Sequence, residues 1–328
     1  MVFESLGLLG NALILLASLV VLVLASDVTI NHSVKVSALT GFGKTTVGFI
    51  LVGFATSLPE LSVAIFGVGT GSIGVTIGNV LGSNIVDIAL VLGVCFLLVA
   101  VKCPKFQCVY PAMAKEEIGS LYFGLFIASI IPLALLYIGY ASQFIGVILL
   151  TIFVFYMIQL ARVKREAATD TVEADRSKLN HYVLFTLIGA AGVVASAYFI
   201  VDSASFIATG MGVPPVIIGA TIVAFGTSIP ELATAVSSVR KGHFDLALGN
   251  IVGSCFINIT FILGVALIVS PLTINIEAFT NLALFSLITN LFLWYFLSSE
   301  RTSWREGTLL LVLYAAFLYI SFSGIAPS

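Results

Sequence analysis

The chain has 328 residues, 59% hydrophobic and 9% charged, with a mean hydropathy of +1.16 and a formal net charge of −2. Most of its length therefore has no polar face to offer to water, which excludes a soluble domain and leaves a polytopic membrane protein whose surroundings are the lipid bilayer. Nothing in this balance calls for a nucleic-acid partner.

A span needs about 20 apolar residues. Cutting the chain at its charges, Gly/Pro clusters and polar turns predicts ten spans, near 6–26, 38–67, 72–100, 119–140, 143–163, 182–203, 211–239, 244–270, 278–298 and 305–324. The first carries Glu4, lacks a basic region ahead of the apolar run and shows no small-residue cleavage motif, so it reads as a span and not a signal peptide.

Residues 48–94 and 219–265 align without a gap at a constant offset of about 171. Roughly 19 of the 47 aligned positions are identical, and the identities favour polar and helix-breaking residues over apolar filler, which marks the pair as a functional repeat. With the N-terminus outside, the inside loops are 27–44, 100–118, 161–181, 240–244 and 299–306, and all 14 Lys and Arg residues fall in them or at their edges. The turn between the paired helices reads Gly69-Thr70 in the first copy and Arg240-Lys241 in the second, so the two copies face opposite sides of the membrane.

The expected fold is all-α, with ten transmembrane helices in two inverted five-helix repeats and broken helices at the midplane. Residues 1–160 form the N-terminal repeat, 161–181 a charged cytoplasmic linker too short for a regulatory domain, and 182–328 the C-terminal repeat. A monomer suffices, because the site is made within one chain, and both termini lie outside the cell membrane.

Cys95 and Cys255 lie in apolar helices and Cys103 and Cys108 in a predicted inside loop, where thiols stay reduced, so no disulfide framework is expected. His32, His181 and His243 fall in predicted inside loops or at their edges, where a solvated role is the simpler reading.

Glu60, Asp87 and Glu231 fall deep in predicted spans. A charge there costs about 2.5–3.5 kcal/mol on insertion scales, and no Lys or Arg is available at that depth, so the natural partner is a bound cation or a proton. Pro59 and Pro230 remove helical N–H groups and are expected to release carbonyls near Gly53, Ala55, Ala224 and Gly226, while Thr56, Ser57, Thr227 and Ser228 place hydroxyls within a turn of each Glu. Calcium takes about 6–8 oxygen ligands with tolerant geometry, which suits this inventory; a soft metal would want His or Cys. Sodium also accepts hydroxyls and carbonyls, and competition for shared carboxylates is one way to couple two ions. Gly78-Asn79, Gly82-Ser83, Gly249-Asn250 and Gly253-Ser254 read mainly as close helix packing, with Ser83, Ser254, Asp87 and Asn258 as ligand or proton-site candidates.

The paired motifs, Gly53-Phe54-Ala55-Thr56-Ser57-Leu58-Pro59-Glu60 and Ala224-Phe225-Gly226-Thr227-Ser228-Ile229-Pro230-Glu231, each followed by Gly-Asn-x-x-Gly-Ser, resemble the α-repeats of the sodium/calcium exchanger branch of the cation/calcium antiporters, of prokaryotic or archaeal type. The resemblance implies a calcium site of Glu60, Glu231, Thr56 and Thr227. It implies one sodium site from Ser57, Ser254, the Gly53 carbonyl and Glu231, and another from Ser228, Ser83, the Ala224 carbonyl and Glu60. Asp87 and Asn258 would lie between them, and the first and sixth helices would form the sliding gate. Relatives usually carry Asn in the first repeat and Asp in the second, the reverse of Asp87 and Asn258, and Ala55 replaces a frequent Gly.

The implied function is exchange of Ca2+ for Na+ by alternating access, with those ions as cargo and no cofactor. Alternatives are proton- or other cation-coupled antiport with Asp87 as the proton carrier, and a passive channel, against which the convergence of polar residues on one locus argues. No Ser-His, Cys-His or zinc-spaced His set lies in the spans, so an enzyme is not expected.

Overall fold

The computed structural model describes residues 4–38, 49, 52–102, 108–109, 115–162, 175–210, 213, 215–240, 244–273, 276–298 and 301–323. The first half runs through α1 (Gly7–Ala38), the broken pair α2 (Gly53–Thr56) and α3 (Leu58–Gly69), α4 (Ile73–Ile85), the π-helical turn π1 (Val86–Leu92), α5 (Gly93–Lys102), α6 (Lys115–Ile138) and α7 (Gln143–Arg162). The second half repeats that order: α8 (Leu179–Gly210), α9 (Pro215–Ile218), π2 (Gly219–Val223), the broken pair α10 (Ala224–Thr227) and α11 (Ile229–Arg240), α12 (Phe244–Ile257), π3 (Asn258–Ile262), α13 (Leu263–Val269), α14 (Ile276–Ser298) and α15 (Trp304–Ser323). Among the described residues, nine continuous helical stretches are long and apolar enough to span a membrane, and α3 is a further, shorter apolar helix.

The first span does not stop at residue 26. Helix α1 continues through Asp27, His32 and Lys35 to Ala38, so most of the stretch expected as an inside loop is helical. Its partner explains why. Helix α8, also 32 residues long, runs antiparallel beside it: Ala25 meets Gly192, the His32 ring stacks on Phe185 with centroids 5.2 Å apart, and the Lys35 ammonium lies 5.4 Å from the Tyr182 ring centre. At about 1.5 Å per residue such a helix reaches about 48 Å, well beyond a hydrocarbon core of about 30 Å, so its polar end leaves the apolar layer while still packed. Helix α8 itself begins at Leu179, three residues ahead of the expected boundary of the second half, after a 3-10 turn at Arg176–Lys178. His32 and His181 belong to this helical, aromatic contact, with ring centroids 6.0 Å apart, and not to a loop. Cys103 and His243 lie outside the described residues.

Apolar packing divides in two. One large cluster joins residues of α4 to α7 with those of α10 to α15, including Phe96, Leu125, Phe256 and Phe317. A separate cluster, with Leu15, Leu22, Val193, Ile200 and Val201, binds α1 to α8 and both of them to Val63, Val75 and Val223. The outer faces of the pair carry exposed Leu9, Leu13, Leu16, Leu184 and Leu187, an arrangement suited to lipid.

Two short ribbons tie the halves together. Strand β1 (Cys108–Val109) pairs antiparallel with β4 (Arg301–Thr302), and β2 (Tyr140–Ala141) with β3 (Leu272–Thr273). Each pairing joins two connections that the charge pattern assigns to the same side. Exchanging the halves maps one ribbon onto the other, as an inverted repeat requires.

The glycines of the paired motifs are packing residues. A Cβ on Gly82 would stand 2.5 Å from the Ala220 Cα, and one on Gly253 would stand 2.6 Å from the Phe49 carbonyl oxygen. Backbone therefore meets backbone where α4 crosses π2 and where α12 crosses the entry to α2.

Candidate functional site: a carboxylate cluster between the repeats

Each motif helix breaks at one residue. Ser57 has φ −82° and ψ 5°, and Ser228 has φ −82° and ψ 3°, which is the bridge conformation, and a new helix starts at the next residue. Pro59 and Pro230 are the second residues of α3 and α11, where a missing N–H costs no bond within the new helix. Glu60 and Glu231 then occupy first turns, where the helix dipole favours negative charge.

One expectation needs correction. The carbonyls of Gly53 and Ala224 are not released: each accepts the backbone N–H of Ser57 or Ser228 at 3.0 Å, and the Thr56 and Thr227 hydroxyls lie within 3.2 and 3.3 Å of them. A proline removes only its own N–H, whose helical acceptor is the residue four before it, so Ala55 and Gly226 are the carbonyls deprived of that partner. Gly53 and Ala224 keep any ligand role only through oxygen lone pairs shared with those bonds.

The second helix of each repeat supplies a polar stripe. Asn79, Ser83 and Asp87 recur every four residues along α4 and π1, as do Asn250, Ser254 and Asn258 along α12 and π3, so each set lines one face. All six are fully buried. The π turns begin at or next to Asp87 and Asn258, and such turns inside helices commonly mark functional positions.

The stripes pair across the repeats. The Thr56 hydroxyl donates to Asn250 Oδ1 at 3.2 Å, and the Thr227 hydroxyl to Asn79 Oδ1 at 3.1 Å. Ser57 and Ser254 share a hydrogen bond of 2.9 Å, Ser83 lies 3.5 Å from the Thr227 hydroxyl, and Ser254 donates to Glu231 Oε1 at 3.5 Å. The motif helix of one half is thus bound to the second helix of the other, and neither half contains a complete site.

Three carboxylates meet there. Glu60, Asp87 and Glu231 are fully buried, lie close enough for mutual repulsion, and are the only buried charged side chains among the described residues. Both carboxylate oxygens of Glu60 and of Asp87, Oε2 of Glu231, the Ser228 hydroxyl and Oδ1 of Asn258 make no hydrogen bond of ordinary geometry. The hydroxyls of Thr227 and Ser83 stand near Glu60, and those of Ser228 and Ser254 near Asp87. Such a set of buried oxygens without a protein cation is costly unless a cation or protons compensate it. The ligand chemistry is all oxygen, that of a hard cation.

Asn84, which the motif reading passed over, is also fully buried and binds Asn258 at 3.0 Å. Its signal in the sequence is a break in the repeat: the aligned residue of the second copy is Cys255.

Comparison with known proteins agrees with this architecture. A family model described as sodium/calcium exchanger protein matches residues 10–161 and 181–323. The sodium/calcium exchanger MaX1 of Methanosarcina acetivorans is 30% identical, with 95% of this chain and 98% of that protein covered, and the inner membrane protein YrbG of Escherichia coli K12 is 29% identical over 88% and 89%. The solved structure of the sodium-calcium exchanger NCX_Mj, soaked with Na+ and Sr2+, superposes with a TM-score of 0.68 at 25% identity, covering 96% of this chain and 99% of that one. Two inverted halves, each with a helix broken three residues before a buried Glu, and a family match over nearly the whole length place this chain in the sodium/calcium exchanger family.

Proposed function

We propose that Glu60 and Glu231 hold the transported calcium between the repeats with oxygens of Thr56 and Thr227, and that sodium competes for the same two carboxylates. As a member of its family the chain is a secondary-active sodium/calcium antiporter of the membrane and not an enzyme. The observation that carries the assignment is the pair of buried Glu carboxylates, one from each repeat, with no Lys or Arg buried among the described residues to neutralise them. Two such carboxylates match the charge of one calcium ion and supply up to four of its oxygens.

The sodium positions follow from the flanking hydroxyls. Ser57 and Ser254 with the Gly53 carbonyl and Glu231 form one, and Ser228 and Ser83 with the Ala224 carbonyl and Glu60 form the other. Because each of Glu60 and Glu231 serves both calcium and one of the sodium positions, loading sodium removes ligands from calcium. Alternating access is assigned to α1 and α8 moving as a pair across the motif core, for which their separate apolar cluster provides the interface. A ligand shifts that equilibrium only through different affinities for the two states, which the ion-dependent charge of the cluster supplies. We place the two repeats as domains at 1–160 and 182–328, both termini outside, and the working unit as a monomer.

A second reading couples calcium to protons through Asp87, whose carboxylate is fully buried and makes no hydrogen bond of ordinary geometry. Purified protein in liposomes separates the two. Calcium uptake driven by an outward sodium gradient and unchanged by an equal pH gradient supports sodium coupling; uptake that needs only the pH gradient and is lost in Asp87→Asn assigns the coupling to protons.

A further inference from the structure

The two repeats differ at one buried contact beside the carboxylates. Asn84 and Cys255 occupy equivalent positions and face each other: Asn84 Nδ2 donates to the Cys255 carbonyl at 3.4 Å, and the Cys255 thiol lies 4.0 Å from the Asn84 carbonyl. Only Asn84 has a second polar atom. Its Oδ1 accepts from Asn258 Nδ2 at 3.0 Å, while Asn258 Oδ1 is buried without a partner.

The order of these bonds is directional. A backbone carbonyl can only accept, so the Cys255 carbonyl fixes which end of the Asn84 amide is NH2. The remaining oxygen of Asn84 then fixes which end of Asn258 is NH2. Asn258 is left presenting oxygen, on the same helical face as Asn250 and Ser254. Its counterpart Asp87 needs no such control, because both ends of a carboxylate are oxygen. The clamp therefore sits in the repeat opposite the member of the Asp87 and Asn258 pair that has a wrong way round.

We infer that Asn84 is a positioning residue that holds the Asn258 amide oxygen toward the site, making Asn258 a neutral oxygen ligand for a hard cation opposite Asp87. Without Asn84, the Asn258 NH2 group loses its acceptor and is free to turn toward the carboxylates, where it competes with the cation for their oxygens. This inference rests on the cation-site reading above.

Equilibrium binding of radioactive calcium to the purified full chain tests it, with thermal melting to confirm folding. Asn84→Leu should weaken calcium binding about tenfold or more, whereas Asn84→Asp, which still accepts from Asn258, should stay within about threefold of the parent. In an Asn258→Asp background, where both ends are oxygen, and in Asn258→Ala, where no amide is left to orient, adding Asn84→Leu should cost less than about twofold. Equal loss from Asn84→Leu in all backgrounds, no loss in the parent, or a loss in Asn84→Asp matching that of Asn84→Leu would overturn the inference. Absence of calcium binding by the parent would instead overturn the cation-site reading itself.

Discussion

The Thr56 hydroxyl donates to Asn250 Oδ1 at 3.2 Å across the boundary between the two repeats, and its pseudo-symmetric counterpart joins Thr227 to Asn79 at 3.1 Å. Both bonds are buried, so each helix break is held in place by the other half of the chain. Thr56→Val keeps the shape and leaves Asn250 Oδ1 without its donor, which should cost about 1–3 kcal/mol and lower the melting temperature in detergent. Thr227→Val should cost a similar amount, since the environment is repeated.

Close backbone approach makes a sharper steric prediction. Gly82→Ala and Gly253→Ala put a methyl group against the backbone of Ala220 and Phe49, which cannot swing aside as a side chain would. Each should destabilise the protein by about 1–3 kcal/mol or more and reduce calcium uptake. Gly69→Ala, with nothing within 4 Å of the added Cβ, should leave melting and transport close to the parent.

The paired movement of α1 and α8 can be tested by cross-linking. Ser72 and Ser205 share a hydrogen bond of 2.8 Å between the turn preceding α4 and helix α8. Oxidation of the Ser72→Cys, Ser205→Cys double variant should arrest calcium uptake and reduction should restore it, because the bond ties the moving pair to the core. A cross-link within the pair, through Ala25→Cys and Gly192→Cys, should leave uptake largely intact. Equal arrest by both would show that α1 and α8 move relative to each other.

The hydroxyls should separate the two ions. Ser57 touches Ser254 at 2.9 Å and belongs to the proposed sodium position, whereas calcium is assigned to carboxylate and Thr oxygens. Ser57→Ala should raise the sodium concentration for half-maximal exchange about tenfold, with a change of less than about threefold for calcium, in flux assays over a range of both ions.

Much of this was legible because the chain states its motif twice. The repeat alignment located Glu60, Glu231 and their hydroxyl neighbours, and the charge asymmetry at Gly69-Thr70 and Arg240-Lys241 gave the inversion. What escaped was set by tertiary contact. Asp27, His32 and Lys35 read as a loop because charge interrupts an apolar run, but the aromatic face of α8 keeps α1 helical beyond the apolar layer. A proline in the motif signals a break but not its register: it frees only the carbonyl four residues before it, and Ser57 and Ser228 still reach those of Gly53 and Ala224. Asn84 is not legible from repeat identity, because the second copy has Cys255 at its position and its contact with Asn258 arises only in the fold.

The central claim is one site shared by two ions and built from both repeats. It is tested most directly by calcium binding to the purified protein at rising sodium concentration, alongside Glu60→Gln and Glu231→Gln. The account predicts that sodium shifts the calcium isotherm competitively and that either substitution weakens calcium binding at least about a hundredfold while the protein remains folded. Calcium binding that is indifferent to sodium, or that survives either Gln substitution unchanged, would contradict it.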